Sequence, residues 1–203
     1  MRPYEHDGWY FAQCPDSLQP RKFNKWLIGL QEAQNLVDVC SKRRVAIDGG
    51  ANVGLWSSVF AAHFEQVHAL EPVHENVQII KLNCKAKNLR VHEMALYNKK
   101  GQQAFTVNSS NYANIVKEPS QKEQVFFKTA RIDDFNFKHV DLIKLDVDGC
   151  EMQALEGAER TIARWHPVLS IEIKLLDRKK LRKKLTDLGY HFVYKTEVDE
   201  VWK

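Results

Sequence analysis

A short apolar segment that runs directly into a cluster of glycines constrains the fold of this chain more than any other feature. Residues 44–48 have the length and apolar content of a buried strand, and residues 48–54 read Asp-Gly-Gly-Ala-Asn-Val-Gly. The apolar residues of 55–64 then predict a helix. Glycines between a strand and a helix allow the backbone to turn sharply and to approach a ligand closely. The segment therefore predicts a strand–loop–helix unit of an α/β sheet, with a ligand bound at the loop.

The remainder of the chain continues this alternation of strands and helices, with one interruption. Apolar runs predict strands at 66–71, 90–96, 140–147 and 168–173, and helical spacing of apolar residues predicts helices at 23–40, 75–88, 151–165 and 175–188. Between them, 102–107 and 124–132 alternate like strands around a polar stretch at 108–120. The last segments, 191–196 and 200–203, are typical of an antiparallel hairpin. This order predicts an α/β protein with a mostly parallel central sheet and an antiparallel C-terminal strand.

The length and composition favour a single domain over residues 1–203. We expect an N-terminal arm and helix over 1–43, with a loosely structured arm whose aromatic residues pack on the body, and a core over 44–203 with a hairpin or loop excursion near 102–132. No apolar run approaches the roughly 18 residues of a membrane span, and the N-terminus lacks an apolar signal region. The widely spaced cysteines, without a C-x-x-C pair, predict reduced thiols in a cytoplasmic protein; they are Cys14, Cys40, Cys84 and Cys150.

An acidic residue at the end of the second strand complements the glycine loop. Glu71 stands 23 residues after Asp48, where a carboxylate can accept hydrogen bonds from both hydroxyls of a ribose. The dinucleotide fingerprint would need a second glycine where Ala51 stands, and an acid such as Asp48 would repel a pyrophosphate. S-adenosylmethionine carries an ammonium and a sulfonium, so it suits this loop better. The alternative is a glycine-rich turn that binds nothing.

The strand at 140–147 has an unusual acidic end. Lys144, Asp146 and Asp148 alternate with apolar residues, whereas a central parallel strand is normally apolar on both faces. Burying such charges costs several kcal/mol unless they pair. One interpretation is a Lys144–Asp146 pair that only holds the strand in place. The other places Asp146 and Asp148 at the carboxyl end of the sheet, where α/β folds bind ligands, with Glu172 reaching the same edge from the next strand.

Five separated motifs resemble one known family when they are taken in order. They are DGGANVG at 48–54, ALEP at 69–72, DLIKLDVDGCE at 141–151, ALEGAERTI at 154–162 and PVLSIEI at 167–173. In this order the chain resembles the FkbM-type methyltransferase family, over roughly residues 45–173. The resemblance implies a Rossmann-like class I methyltransferase fold and an enzyme that uses S-adenosylmethionine to methylate hydroxyl oxygens of sugars, glycans or other small molecules.

The resemblance also implies roles for individual residues. The cofactor would be held by Asp48, Gly49, Gly50, Ala51, Asn52, Gly54, Glu71 and Pro72. The catalytic edge would comprise Lys144, Asp146, Asp148 and Glu172. Its acids can serve as a base or hold a divalent cation such as Mg²⁺. The chain departs from the family in having Asp148 where Glu is usual and Cys150 where a small apolar residue is usual, which leaves the role of Asp148 open.

A basic helix bears on the choice of acceptor. Its cations, opposed by Asp177 alone, are Lys174, Arg178, Lys179, Lys180, Arg182, Lys183 and Lys184. They predict an anionic acceptor such as an acidic or phosphorylated sugar, or a nucleic-acid partner whose ribose 2′-hydroxyl is methylated, or they form only a solvated face. Base methylation is disfavoured because the chain lacks the N-P-P-Y and Pro-Cys motifs. A further alternative is a protein that binds the cofactor without turnover.

Overall fold

A central sheet fixes the position of the other elements. The computed structural model describes residues 4–6, 8–11, 20–107, 113–115, 124–174 and 177–203. The strands are β1 (Tyr4–His6), β2 (Trp9–Phe11), β3 (Val45–Gly49), β4 (Gln66–Leu70), β5 (Leu89–His92), β6 (Ala95–Leu96), β7 (Gly101–Val107), β8 (Ala113–Ile115), β9 (Gln124–Ala130), β10 (Leu142–Leu145), β11 (Val168–Glu172), β12 (Phe192–Lys195) and β13 (Asp199–Trp202). The helices are α1 (Pro20–Val39), α2 (Leu55–His63), α3 (His74–Asn83), α4 (Glu151–Glu156), α5 (Glu159–Trp165) and α6 (Arg178–Asp187).

The central sheet has seven strands in the order β12–β13–β11–β10–β3–β4–β5. Strands β11, β10, β3, β4 and β5 are parallel, β13 is antiparallel to β11, and β12 is antiparallel to β13. The predicted mostly parallel sheet with an antiparallel C-terminal strand is therefore confirmed. The carboxyl ends of the parallel strands form one edge, which we call the carboxyl edge and at which open α/β sheets bind ligands.

Helices cover both faces of this sheet. Successive side chains of a strand point to opposite faces, so Leu142 packs with α1 and α2 while Ile143 packs with α4, α5 and α6. The first face becomes polar toward the carboxyl edge, where Lys144 lies in register between Asp48 of β3 and Ser170 of β11. A charged side chain is thus buried beneath α2 rather than at the protein surface.

The predicted strand at 90–96 is wrong, because the chain bends in its middle. Strand β5 belongs to the central sheet, but β6 belongs to a second sheet of order β6–β9–β7–β8. The amide of Met94 donates to the carbonyl of His92 at 3.0 Å, which closes a tight bend between the two strands. Strands β7 and β9 pair antiparallel across the excursion. Of the polar stretch at 108–120, only β8 is described; 108–112 and 116–120 lie outside the described residues.

The predicted helix at 151–165 is also wrong, since it is divided into α4 and α5. Gly157 lies at the division, and a Cβ there would overlap the carbonyl oxygen of Tyr97. Asp133, in a 3₁₀ turn at Ile132–Phe135, caps the start of α5: its Oδ1 accepts from the amide and hydroxyl of Thr161, both at 2.8 Å. Contacts from distant parts of the chain therefore interrupt a segment whose own pattern is continuous.

The described residues of the N-terminal arm, 4–6 and 8–11, form a short hairpin, whereas the sequence predicted a loosely structured arm. Strands β1 and β2 pair antiparallel, and Asn83 of α3 holds the second strand. The amide of Tyr10 donates to Asn83 Oδ1 at 2.8 Å, while Asn83 Nδ2 donates to the carbonyls of Tyr10 (3.1 Å) and Val53 (2.7 Å). The same asparagine thus connects the arm to the glycine loop.

The basic helix α6 begins later than predicted. Asp177 caps it by accepting from the amides of Lys179 (3.0 Å) and Lys180 (3.2 Å), and residues 175–176 lie outside the described residues. In the part of the chain that the structure describes, no helix combines the length and apolar character needed to cross a bilayer. Cys40 and Cys84 carry free thiols, and Cys14 lies outside the described residues.

Candidate active site

The glycine loop between β3 and α2 packs against the ends of two neighbouring strands. The amides of Gly50 and Ala51 donate to the carbonyl of Leu70 at 2.9 and 3.2 Å. Gly50 has φ 76°, and a Cβ on it would overlap the carbonyl of Asp146 at the end of β10. Gly54, with φ 86°, precedes the first turn of α2. Glycine is therefore required here both for conformation and for space.

Glu71 holds the loop through a buried carboxylate. Its Oε2 accepts from the amide of Asn52 at 2.9 Å, and its Oε1 accepts from the amide of Val73 (3.0 Å) and from Asn76 Nδ2 (3.3 Å). Burial raises the pKa of Glu71 to about 7, although these hydrogen bonds favour its charged form. A carboxylate has about four acceptor positions. Glu71 can therefore accept one further hydrogen bond from a ligand hydroxyl without losing a present one.

A cavity at the carboxyl edge joins the loop to the acidic strand end. Its polar side chains are those of Asn52, Glu71, Asn76, Asp146 and Asp148, and Gly50 and Pro72 also line it. Its apolar lining includes Leu96 of β6 and Phe105 of β7, which come from the second sheet. The sequence motifs contain neither these two residues nor Asn76. An asparagine in the first turn of the helix that follows Glu71 was the one signal that could have indicated Asn76. The cavity thus has a polar side and an apolar side, as a nucleoside ligand requires.

Asp48 and Lys144 form a buried ion pair beneath this cavity. Asp48 is fully buried; its Oδ2 accepts from Ser57 Oγ at 2.6 Å, and its Oδ1 lies 3.4 Å from Lys144 Nζ. The same Nζ lies 3.5 Å from Asp146 Oδ2 and 5.3 Å from the Trp56 ring centroid. Burial opposes its charge, but the carboxylates of Asp146 and Asp48 raise the pKa of Lys144 above its ordinary value.

This position differs from the one that the sequence suggested for Asp48. The sequence indicated that an acid at this point of the loop suits a cationic ligand, whereas the Asp48 carboxylate points inward to Lys144 and Ser57. Lys144 is likewise buried, with 3% of its surface exposed. The Lys144–Asp146 pair that one of the two interpretations predicted is present, but Lys144 also bridges to Asp48. Both residues therefore support the loop and Asp146 from below.

Above this pair, three carboxylates from two strand ends come together. One oxygen each of Asp146, Asp148 and Glu172 can be chosen so that all lie within 4.8 Å of one another. Burial, and then the neighbouring acids Asp146 and Glu151, raise the pKa of Asp148 to about 7 and that of Glu172 to about 8. The structure therefore brings together the three acids that the sequence placed at this edge.

Two further acids of this edge were missed in the sequence. Asp199 of β13 lies opposite Glu172, and burial raises its pKa to about 7. Glu151 Oε1 accepts from the amides of Val147 and Gly149, both at 3.1 Å, and so closes the turn that carries Asp148. Only the register of the C-terminal hairpin brings Asp199 to this edge; the strand prediction started one residue too late to include it.

The cations of the basic helix fall into two groups. The C-terminal group is paired: Arg182 with Glu200 at 2.6 Å, Lys183 with Asp187 at 2.7 Å, and Lys184 with Glu159 at 2.7 Å. The other group is exposed, forms no ion pair with a described residue, and directly follows β11 at the carboxyl edge. We call it the basic lip: Lys174, Arg178, Lys179 and Lys180.

The sheet order, the glycine loop and the acids at the carboxyl edge define a protein with the Rossmann-like fold of class I methyltransferases. Methyltransferase FkbM from Methylobacillus flagellatus KT has this fold, with a TM-score of 0.58 and 21% identity over 79% of this chain and 43% of that chain. Magnesium protoporphyrin IX methyltransferase from Synechocystis PCC 6803, solved with bound SAM, has a TM-score of 0.54 and 13% identity over 94% of this chain and 83% of that chain.

The sequence itself identifies the family within this class. The family model of the methyltransferase FkbM domain matches residues 48–192, so the chain belongs to the FkbM methyltransferase family. Methyltransferase 1 from Beauveria bassiana (strain ARSEF 2860) is 24% identical over 163 residues, which cover 66% of this chain and 65% of that protein. The chain therefore spans less than two thirds of that relative and less than half of the FkbM structure.

Proposed function

We propose that this chain binds S-adenosylmethionine in the cavity between the glycine loop and Glu71 and methylates a hydroxyl of a sugar, glycan or other small molecule. The observation that carries the proposal is the junction in one cavity of Glu71 and Asn52 with Asp146 and Asp148. The first two are suited to a ribose, and the last two to a positively charged reacting group. Membership of the FkbM methyltransferase family supports the same reaction class.

The chemistry of the cavity fits this cofactor better than a dinucleotide. Glu71 retains one acceptor position for a ribose hydroxyl, and Leu96 and Phe105 offer an apolar wall for a base. The carboxylates of Asp146 and Asp148 on the same cavity would repel a pyrophosphate but attract a sulfonium. When bound, S-adenosylmethionine supplies an activated methyl group. Asp48 and the loop glycines Gly49, Gly50 and Gly54 then serve by shaping the loop.

Two acids of the carboxyl edge, Asp146 and Glu172, are suited to different roles toward the acceptor hydroxyl. Asp146 is held by Lys144 while 43% of its side chain stays exposed, so it can orient an acceptor hydroxyl. Glu172, with a pKa raised to about 8 by burial, is a better match for taking that proton near neutral pH than an ordinary carboxylate. With S-adenosylmethionine as methyl donor, the acceptor oxygen would take the methyl group from the sulfonium, Asp146 would orient that hydroxyl, and Glu172 would accept its proton.

The basic lip favours an acceptor that carries negative charge. Its four cations lie beside the carboxyl edge and have no anionic partner among the described residues, unlike the cations further along α6. An acidic or phosphorylated sugar offsets this charge. So do the phosphates of a nucleic acid, whose ribose 2′-hydroxyl is the second candidate for methylation. The two differ in the number of phosphates contacted, so they differ in the salt dependence of binding.

Transfer of a labelled methyl group tests the proposal. Purified protein is incubated with methyl-labelled S-adenosylmethionine and, in parallel, with neutral sugars, acidic or phosphorylated sugars, and RNA. We expect label in a carbohydrate hydroxyl and preference for the anionic members. Label in the RNA ribose would select the second candidate. If S-adenosylmethionine binds but no acceptor is labelled, the proposed acceptor class is wrong. If S-adenosylmethionine does not bind, the proposed cofactor is wrong.

A further inference from the structure

The three clustered carboxylates have the spacing of a metal-binding site. Asp146 and Asp148 follow β10, Glu172 ends β11, and one oxygen of each lies within 4.8 Å of the others. Cation–oxygen distances of about 2.1–2.6 Å place the ligands of Mg²⁺, Mn²⁺ or Ca²⁺ about 3–5 Å apart. The cluster therefore needs only side-chain adjustment to meet one cation.

A second observation concerns the buried acids behind the cluster. Glu172 and Asp199 lie side by side in register on β11 and β13, with 9% and 4% of their surfaces exposed. No described residue donates a hydrogen bond to either carboxylate or pairs with it within 4 Å. Buried carboxylates are ordinarily hydrogen-bonded or paired. Glu172 and Asp199 lack such partners among the described residues, and Glu172 belongs to the cluster. We take this as support for a positively charged ligand bound here.

When these acids are ionised, the described cations offset only part of their charge. Lys144 is the buried cation nearest the cluster, and it is already shared between Asp48 and Asp146. Lys174 lies at the exposed end of β11 and acts on Asp148 and Glu172 only through space. Asp146, Asp148, Glu172 and Asp199 thus carry more negative charge than their neighbours offset.

We propose that Asp146, Asp148 and Glu172 bind one divalent cation that prefers oxygen ligands, with Asp199 supporting Glu172 from behind. Asp146 and Asp148 also line the cofactor cavity, so the cation lies where an acceptor hydroxyl approaches the methyl group. A cation at this place lowers the pKa of a coordinated hydroxyl. That consequence rests on the proposed methyl transfer, but cation binding does not, and it can be measured without cofactor or acceptor.

Titration of chelator-treated protein with Mn²⁺, Mg²⁺ and Ca²⁺ tests the proposal, by calorimetry and by thermal unfolding at about pH 7.5. We expect one site and a higher melting temperature. Repetition with S-adenosylhomocysteine, whose sulfur is neutral, separates cation binding from cofactor binding.

Matched variants distinguish a metal site from an acidic surface. Asp148→Asn and Glu172→Gln should each weaken cation binding more than about tenfold, yet raise the melting temperature of the cation-free protein, because each removes one of the clustered like charges. Glu197→Gln, at an exposed acid of the C-terminal hairpin, should change neither. No response of the wild-type protein to about millimolar concentrations of any of the three cations, or an equal response in Asp148→Asn, would overturn the proposal.

Discussion

Two charged layers on the same face of the sheet differ in how completely their charges are paired. In the lower layer, Asp48, Ser57 and Lys144 are buried and bonded to one another. In the upper layer, Asp148 and Glu172 lie next to Asp146 with pKa values raised to about 7 and 8. The layers meet at Asp146, which contacts Lys144 and lines the cavity. The lower layer is internally paired, and we infer that it stabilises the fold; the upper layer is not paired in this way, and we propose that it serves the reaction.

The largest effect should follow from breaking the lower layer. Lys144→Met leaves Asp48 buried without its cation, which should reduce the free energy of unfolding by about 3–5 kcal/mol. Urea denaturation at pH 7 measures it. In the double variant Lys144→Met with Asp48→Asn, the buried charge is gone and much of the loss should be recovered. If the two variants are equally stable, the pair does not stabilise the fold in the way described.

A change at the junction of the layers should affect turnover more than binding. Asp146→Asn retains the shape of the side chain but removes its charge, so kcat for the true acceptor should fall at least about tenfold. The affinity for S-adenosylmethionine should change much less, because Glu71 and the loop stay intact. Steady-state kinetics and calorimetry on the same preparation measure both. A folded variant with wild-type kcat would show that Asp146 is only structural.

The upper layer should make stability depend on pH in a specific direction. A carboxyl whose pKa is raised on folding favours the folded state at low pH, and this contribution is lost as the pH rises from about 4 toward the folded pKa. For Glu172 that pKa is about 8, so the loss extends across the range from about 4 to 8. The free energy of unfolding of Glu172→Gln, relative to that of the wild type, should therefore rise by at least about 1 kcal/mol from pH 5 to pH 8.5.

Paired denaturation curves of Glu172→Gln and the wild type at the two pH values measure this change. Burial lowers the pKa of His68 to about 4, so His68 makes both proteins more stable as the pH rises. Because this effect is common to both, it cancels when the stability of one protein is subtracted from that of the other. Equal differences at the two pH values would show that Glu172 is not destabilised by its charge.

The smallest effect is expected at the basic lip. Lys179→Gln with Lys180→Gln removes two unpaired cations, so the acceptor KM should rise about two- to fivefold and become less dependent on salt. Lys183→Gln with Lys184→Gln removes two cations from the same helix that are paired with Asp187 and Glu159. This control should leave the KM near the wild-type value. If both double variants behave alike, the lip has no special role in binding the acceptor.

The parts of the structure that could be predicted depend on local patterns. The glycines at 50 and 54, the apolar core of β10 and the antiparallel C-terminal hairpin follow from a few adjacent residues. The same local signals predicted that Asp146, Asp148 and Glu172 lie at one edge, since all three stand at or just beyond strand ends. Strand ends of a parallel sheet meet at one edge whatever their order.

The remaining parts depend on contacts between distant segments. Asp199 reaches Glu172 only through the register of β13 against β11. Phe105 reaches the cavity because β7 belongs to a second sheet, and the helix at 151–165 is divided because Tyr97 approaches Gly157. The inward direction of the Asp48 side chain could be predicted only if the register that places Lys144 beside it were known. Each of these features comes from tertiary packing, which a local pattern does not encode.

The affinity of S-adenosylmethionine for wild-type protein and for Glu71→Ala shows whether the cofactor binds at the glycine loop. We expect calorimetry to show one site in the wild type and a loss of about 1–3 kcal/mol of binding free energy in the variant, because Glu71 holds the loop through Asn52 and is the proposed acceptor for a ligand hydroxyl. Glu75→Ala, at an exposed acid in the first turn of α3, should bind like the wild type. Unchanged affinity in a folded Glu71→Ala protein, or no binding to the wild type, would contradict the account.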